Sequence, residues 1–525
     1  MPSTGATGVP TNNRVPSVFL SIAFGASPNG TGGGPLKCLL LGFKTSSGTG
    51  IVDTTIYQCL NGLSDALNYA GQNSMAYLMA QAAYTMAPAV DLYLGFPAEP
   101  SGAIASATIT IGASDTVSST GSGNITVTVG GVPVVIGVAA STPSVAIATA
   151  VKNALNTAAN GLPVNATTPA PTADNTVIVA FKHVGALGNQ VPISVTADSG
   201  IGLTVTVDHA YLGGTVAGAG VESLANILSV SAAAEYDIIF ACSQDATNWG
   251  RLKTNLDTQY TALVGLPGQG IVCYNSGGSV GGPTAGDATN FAACVTLMSA
   301  INDPIMQVLY TDSPTPAFIV GAGWAARRSV LEGADPTTVE TQLNPSVTDL
   351  SAIMAPPASP ALYMKGSTII SALQTGITPI TTTSAGDSVL VRSITSHYQD
   401  ASNNPDARTL DTIQVSVPFA FAKLIQSDFP QSFGGSTLVD NPAPGADKLP
   451  PGTVYPEFIK VHYHVLAKGL SKQANPWITN VDADYANWVF NLDATVPGRV
   501  DATMPITPVQ WVAQFSAAIQ QLTLL

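Results

Sequence analysis

Residues 236–275 carry the pattern that decides the fold: YDIIFACSQDATNWGRLKTNLDTQYTALVGLPGQGIVCYN. The apolar runs at its two ends are typical of strands that are buried on both faces. Between them, Trp249, Leu252 and Leu256 recur at helical spacing, as expected for an amphipathic helix. A buried strand, a helix and a second buried strand predict a parallel βαβ unit.

The same alternation continues on both sides of this unit. Downstream, IMQVLYT at 305–311 is followed by the helical FIVGAGWAARRSVL at 318–331. Upstream, LKCLLLGF at 36–43 precedes a helix that starts near Ser64. We therefore predict an α/β core, a parallel sheet between helices, built from two segments, 35–98 and 216–365.

The intervening residues 99–215 differ in texture, because Thr, Val, Ala, Gly and Ser dominate and short strands alternate with turns. Gly130-Gly131 lies between NITVTV and VPVVIGV and supplies the positive φ that a two-residue hairpin needs. This segment is predicted to be an inserted, β-rich α+β domain on the outside of the core.

The last third is predicted to be a separate α+β domain over 366–505. TLDTIQVSVPFAFAKLI at 409–425 is predicted to be helical despite Pro418, and FIKVHYHVL at 458–466 is predicted to be a strand. Gly- and Pro-rich residues 1–34 and the apolar residues 506–525 are predicted to be extended terminal arms.

Composition indicates a large assembly. Hydrophobic residues make up 46% of the 525 and charged residues only 10%, well below the roughly 25% of soluble domains. The longest apolar runs are too short to span a bilayer, so membrane insertion is not expected. Charge depletion is instead typical of surfaces that neighbouring subunits cover.

Net charge, the amino-terminal residues and the cysteines restrict the class of partner and the compartment that the sequence predicts. A net charge of −14 with 18 Lys and Arg argues against a protein that neutralises nucleic-acid phosphates. The amino terminus has no basic region followed by a long apolar stretch, so synthesis and folding in the cytoplasm are expected. Five cysteines without C-x-x-C spacing indicate reduced core thiols.

One motif suggests an enzyme. Gly277-Gly278-Ser279-Val280-Gly281 matches G-x-S-x-G after a predicted strand, and His397 lies downstream. A hydrolase elbow requires a helix at once, whereas Pro283 delays it here. A glycine loop is the simpler interpretation, and a serine hydrolase using Ser279 stays as an alternative. The same loop lacks the Lys-Ser/Thr ending of a phosphate-binding P-loop, so no cofactor is predicted.

His462 and His464 are two residues apart on the predicted strand and would share a face, as a metal-binding edge requires. No third ligand accompanies them. A half-exposed strand with Val461, Tyr463 and Val465 on its buried face explains the spacing, and no metal site is predicted.

Several strings resemble, in order, the tail sheath proteins of Mu-like contractile phages. They include RVPSVFLSIAF at 14–24, VTVGGVPVVIGV at 127–138, VLVRSITSHYQD at 389–400 and GRVDATMPITPVQWVAQF at 498–515. The resemblance covers nearly the whole chain. The matching strings are structural segments of the fold and not catalytic signatures.

The resemblance implies a core of subtilisin-like topology without catalysis. Only His183 and His209 precede Ser279, and both lie in the insertion, so no triad of subtilisin order can be assigned. It implies a virion protein, assembled in the host cytoplasm, that polymerises helically in rings of six around a tail tube protein. Baseplate and tail terminator proteins are the other implied partners.

In this family, neighbouring subunits exchange terminal arms, which is a form of strand addition. The implied inter-subunit arm contacts are Val15, Val18, Leu20, Val500, Ala502 and Met504. Two alternatives from other settings are a sheath of a non-phage contractile injection system and a secreted adhesin or surface-layer protein. The second would need an export signal, which the sequence does not show.

Overall fold

A computed structural model describes residues 36–169, 174–261, 265–275, 287–298, 301–443 and 449–510, and only the backbone of residues 287–290. The first segment contains β1 Lys37–Leu41, β2 Ile56–Gln58, α1 Leu63–Ala70, α2 Met75–Met86 and β3 Asp91–Gly95. The insertion contains β4 Ser106–Ile111, β5 Gly123–Val129, β6 Val132–Val138, α3 Ser144–Leu155, β7 Val164–Thr167, β8 Thr176–Phe181, β9 Ile193–Ala197 and β10 Val205–Val207.

The chain then returns to the core through α4 Ala225–Ser231, β11 Ile238–Ala241, α5 Ala246–Gln259, β12 Gln269–Asn275, α6 Asp287–Met298, β13 Met306–Thr311, α7 Ala317–Ala334, α8 Pro345–Thr348, α9 Gly366–Gln374, β14 Ile377–Thr382 and β15 Ser388–Leu390. The last third contains α10 Ile413–Phe433, β16 Thr437–Leu438, β17 Thr453–Val454, α11 Pro456–Lys472, β18 Ile478–Thr479, α12 Val481–Tyr485, β19 Val489–Leu492, β20 Val500–Thr503 and β21 Thr507–Pro508.

Eight strands form the central sheet in the order β15-β14-β13-β12-β11-β1-β3-β2. Every pairing from β14 to β3 is parallel, and the two edge strands, β15 and β2, pair antiparallel. Cys38 of β1 is paired with Ile238 on one side and Leu92 on the other. The two sequence segments therefore build one mixed α/β sheet, with the insertion between them.

Side chains alternate between two apolar layers, one on each face of the sheet. Leu40 and Phe240 pack on one face with α2 and α7, whereas Leu39 and Ile239 pack on the other face with α5. All four side chains are fully buried. The prediction of a sheet covered by helices on both faces is confirmed, but the predicted parallel sheet is mixed, because both edge strands are antiparallel.

The sheet continues beyond residue 365, the predicted end of the core. Val308 of β13 pairs with Ile377 of β14, and Ile380 pairs with Leu390 of β15. The short strands at 377–390 carry only brief apolar patterns, so their place in the sheet depends on pairing with distant residues. The other predicted domain limits stay predictions.

The insertion forms two antiparallel sheets, β10-β4-β8-β7 and β6-β5-β9, with α3 packed against them. Its buried residues, such as Ile109 and Val127, belong to the same apolar cluster as Leu40 and Trp324 of the core. The insertion is thus joined to one face of the α/β core by continuous apolar packing.

The predicted hairpin at Gly130-Gly131 is confirmed, with φ of 58° and 82° and β5 paired to β6 on either side. Its turn lies against the core. A Cβ at Gly131 would be 2.7 Å from the Cβ of Ala355, and one at Gly130 would be 3.0 Å from Pro316. Glycine is needed here both for the positive φ and for this close approach.

The 21-residue helix α10 links the core to the last third. Val415 and Phe419 pack in the sheet's second apolar layer, whereas Ile425 and Phe433 pack in a separate cluster with α11. Pro418 lies inside the helix, as predicted from the sequence.

The prediction of a strand over 458–466 is wrong, because these residues lie in α11. Ile459, Tyr463 and Ala467 are buried at spacings of four, and Val461 and Val465 are 44% and 64% exposed. The alternation of apolar and polar residues suggested the two-residue period of a strand. The buried residues instead recur every four residues, as they do on one face of a helix. Pro456 at the first turn favours this helix start.

The helix predicted to start near Ser64 is two helices, α1 and α2. The chain turns at Gly71, which has a φ of 83°, and Ser74 then caps α2 by accepting a hydrogen bond from the Tyr77 amide at 3.1 Å. The apolar stripe continues across the break, which is why periodicity alone did not separate the two helices.

Candidate functional site

The last third of the chain has its own apolar core. Tyr463 of α11, Trp477, Trp488 and Phe490 of β19 are each less than 10% exposed and pack together with the end of α10. The Trp488 indole Nε1 donates to the Pro505 carbonyl at 2.6 Å. This core supports the hairpin formed by β19 and β20.

The hairpin β19–β20 contains two four-residue strands, with Phe490 opposite Ala502 and Leu492 opposite Val500. No third strand pairs with either of them among the described residues. A two-stranded ribbon is marginal in water by itself, and unpaired strand edges accept further strands. Among the described residues, β19 therefore presents a strand edge with no further strand beside it, on a packed base.

One arginine closes the turn of this hairpin. The guanidinium of Arg499 contacts Asp493 at 2.5 Å and Asp501 at 2.9 Å. Asp493 also accepts hydrogen bonds from the hydroxyl and the amide of Thr495, at 2.7 and 2.6 Å. These contacts fix the connection between two short strands that have few backbone hydrogen bonds of their own.

Replacing Arg499 by methionine is expected to lower the free energy of unfolding by about 1–3 kcal/mol, because two little-exposed carboxylates lose their charged partner. The Thr495 hydrogen bond, and then the Arg499 charge among the smaller causes, lower the pKa of Asp493. A lowered carboxyl pKa contributes stability above the unfolded pKa, and this contribution is lost as pH falls through the folded pKa.

Urea denaturation at pH 7 and pH 3 checks this prediction: the cost of Arg499→Met should shrink at pH 3. Arg408→Met is the matched control, since Arg408 pairs with Asp406 but its own side chain is 56% exposed. An equal loss for both variants would contradict a special role for the Arg499 turn.

The predicted arm contacts lie in different parts of the chain. Val500, Ala502 and Met504 are half-buried residues that pack against the core of the last third, and the first two belong to β20. Val15, Val18 and Leu20 lie outside the described residues. The role of all six in contacts between subunits stays a prediction.

The most buried charged groups lie elsewhere, under the central sheet. Arg328 of α7 is fully buried and its Nε lies 2.5 Å from Glu332 and 3.9 Å from Glu340. Its Nη2 donates to Gln269 of β12 at 2.6 Å and its Nη1 to Gln307 of β13 at 3.3 Å. The cluster joins α7 to the sheet and to the loop before α8.

The two carboxylates of this cluster share a single cation. Burial, and next the charge of Glu332, raises the pKa of Glu340 to about 7, and burial raises the pKa of Glu332 as well. Both glutamates have less than one-tenth of their surface exposed. The arrangement holds α7, the sheet and the loop before α8 together. The Arg-x-x-x-Glu spacing of Arg328 and Glu332, which places both side chains on one helix face, is the signal in the sequence that could have indicated this pair.

The histidines are separated from one another. His462 and His464 lie on α11, and their Nε2 atoms contact different carboxylates, Asp428 at 2.9 Å and Asp482 at 3.0 Å. The proposed shared face does not exist, because residues two apart on a helix point in different directions. Within the described ranges, no group of three or more His, Cys, Asp or Glu side chains could hold a metal ion.

His183 is buried at the joint between insertion and core. Its Nδ1 lies 2.5 Å from Glu99, and its Nε2 accepts a hydrogen bond from the Met75 amide at 3.0 Å. His397 Nδ1 lies 2.7 Å from the Thr409 hydroxyl. Both imidazoles thus have local partners within the fold. Ser279 lies outside the described residues. The structure therefore gives no distance between Ser279 and His397 that would support the hydrolase alternative.

All five cysteines are buried free thiols, and burial raises the pKa of each of them. This agrees with the prediction of reduced core thiols. Among the described residues, no helix has both the length and the apolar character to cross a membrane.

No family model matches the chain, and no curated protein matches it. Among solved structures, the chain is similar to a sheath tail protein from Desulfitobacterium hafniense, at 12% identity and a TM-score of 0.45, over 93% of this chain and 100% of the other. A sheath tail protein from Listeria innocua is similar at 12% identity and a TM-score of 0.45, over 92% and 93%. The cryo-EM baseplate of the anti-feeding prophage contains a chain similar at 11% identity and a TM-score of 0.35, over 57% and 72%.

Proposed function

We propose that this chain is a structural subunit of a contractile tail sheath, and that it has no enzymatic role. The observation that carries the proposal is the hairpin β19–β20, a short two-stranded ribbon on a packed base, in which no third strand pairs with β19 among the described residues. The β19 edge of such a ribbon is a suitable acceptor for a strand from another subunit.

In the proposed assembly, the amino-terminal arm of one subunit adds to the hairpin of the next. Val15, Val18 and Leu20 lie on the donor side of this contact, and Val500, Ala502 and Met504 on the acceptor side. Because donor and acceptor surfaces differ, the contact is heterologous and repeats without closing on itself, which gives stacked rings or a helix. The low charge content of the chain, 10%, supports extensive contact between subunits.

The assembled sheath would surround a tail tube, with rings of six subunits between a baseplate and a tail terminator. Contraction would drive the tube through the host envelope, with arms acting as tethers while whole subunits rotate. Burial of apolar surface, at about 25 cal/mol per Å², would supply the free energy, summed over many identical interfaces. The proposal includes a subtilisin-like topology for the core and a place in the virion after assembly in the host cytoplasm; a contractile injection system would use the same subunit design.

Negative-stain electron microscopy of the purified recombinant chain tests the proposal. The expected result is hollow cylinders or stacked rings for the intact chain, and their loss when residues 1–24 are deleted. Replacing Gly366 of α9, whose added Cβ would meet nothing within 4 Å, by alanine is the control that should leave the cylinders unchanged. Monomers alone, and monomers again when a tail tube is added as template, would contradict a sheath role.

A further inference from the structure

A cavity of about 340 Å³ lies where the amino ends of β11 and β12 meet the end of α7 and the middle of α10. Its apolar lining comes from Leu36, Pro267, Pro336, Phe419 and Leu424. The volume is at the lower end of the roughly 300–1,000 Å³ found for ligand pockets. It therefore has room for only a few side chains.

The cavity also has an acidic side, formed by Glu332 and Asp237. Arg328 contacts one oxygen of Glu332, and the other, Oε2, has no hydrogen-bond partner among the described residues although it is buried. The nearby Ser416 hydroxyl donates to the Thr412 carbonyl at 3.0 Å. A buried carboxylate oxygen without a donor is costly, so a further cationic donor would be favourable here.

The remaining charges near the cavity leave an excess of carboxylates. Lys423 pairs with both Asp237 and Glu235, just as Arg328 pairs with both Glu332 and Glu340. Each of these two cations thus serves two carboxylates. The electrostatics favour a partner that brings a positive charge together with apolar side chains.

The amino-terminal arm has this composition, and it joins the fold at the cavity. Leu36 lines the cavity and lies two residues after the end of the arm, which covers residues 1–34. Residues 1–36 contain one charged side chain, Arg14, and the apolar run VPSVFLSIAF follows it at 15–24. The eleven residues between, 25–35, can span at most roughly 36–40 Å when extended, so the run can fold back to the cavity beside its own root.

We propose that residues 14–24 dock into this cavity of their own chain in the free subunit. Side chains from Val18, Phe19 and Leu20 occupy the apolar part, and Arg14 faces the carboxylates of Glu332 and Asp237. Docking itself needs only one chain. Its consequence rests on the proposed function: a docked arm cannot add to a neighbour's hairpin, so the subunit holds its arm back until assembly begins.

The test is the rate at which a maleimide labels a cysteine placed on the cavity rim. Ser427 lines the cavity and is exposed on α10, so Ser427→Cys reports whether the arm covers it. With the native arm, labelling is expected to be slow. Combining Ser427→Cys with Phe19→Asp and Leu20→Asp should raise the rate about tenfold or more, since burying one large apolar side chain contributes about 1.5–3 kcal/mol.

Three controls test whether a change in the labelling rate is specific to the arm and to the cavity rim. Gln431→Cys, exposed four residues further along α10, should be labelled at the same rate with either arm. The chain without an added cysteine should react little, because its own thiols are buried. Arg14→Glu should accelerate labelling of the Ser427→Cys chain, whereas Arg14→Lys should not.

Equal labelling of the rim cysteine with native and altered arms would overturn the proposal. Protection that appears only as protein concentration rises would also overturn it, because the occupant would then be the arm of a second copy. Labelling is measured on monomers, so equal labelling with native and altered arms would not change the outcome of the cylinder experiment. Conversely, absence of cylinders would not contradict docking of the arm.

Discussion

Replacement of Arg328 by methionine is expected to destabilise the protein by about 3–5 kcal/mol, the range for removing one partner of a buried ion pair. Methionine retains much of the side-chain volume, so the effect is mainly electrostatic. Glu332 and Glu340 would lose their shared cation, and Gln269 would lose a donor at 2.6 Å. Thermal or urea denaturation measures the loss.

The matched control is Arg327→Met, one residue earlier on α7. The Arg327 side chain is only partly buried and donates to two backbone carbonyls, of Met86 and Ser346. Its loss is expected to cost roughly 1 kcal/mol. An Arg328→Met variant that is no less stable than Arg327→Met would contradict the role assigned to the buried cluster.

The pH dependence gives the Arg328 prediction a second readout. A raised carboxyl pKa means that the contribution of Glu340 to stability is present below its unfolded pKa and is lost as pH rises through about 7. The Arg328→Met variant should therefore have a lower free energy of unfolding at pH 8 than at pH 5.5. Adding Glu332→Gln and Glu340→Gln to Arg328→Met should recover much of the stability, because the buried charges are then gone.

Replacement of Trp488 by alanine is expected to cost about 3–5 kcal/mol, as large aromatic truncations in cores do. Trp488 is 3% exposed, directly precedes β19 and donates to the Pro505 carbonyl. Its loss removes the base on which the hairpin rests. Amide hydrogen exchange over 489–503 should accelerate, while exchange over β11 and β12 should change little.

Trp488→Phe is the control, since it keeps most of the apolar contact and loses only the indole hydrogen bond. If Trp488→Ala left exchange in the hairpin unchanged, the packing described for this region would be wrong. Under the proposed function, Trp488→Ala should also abolish cylinder formation, and Trp488→Phe should retain it.

The sequence by itself determined the central α/β core, because buried strands and amphipathic helices carry different apolar periods. YDIIFAC and GIVCYN became β11 and β12, and the helix between them became α5. Gly130-Gly131 likewise determined a hairpin, since positive φ at both positions is a local requirement that few other residues meet.

Only the tertiary structure decided features that depend on distant partners. The segment FIKVHYHVL fits either period locally, and packing on the core of the last third made it part of α11. Strand β14 became part of the central sheet through pairing with β13, and β15 through pairing with β14. The hairpin β19–β20, with Arg499 between two aspartates, and the charge cluster around Arg328 follow from side chains that meet only in the folded chain. Local periodicity records which face of an element is apolar, but it does not record what that face will contact.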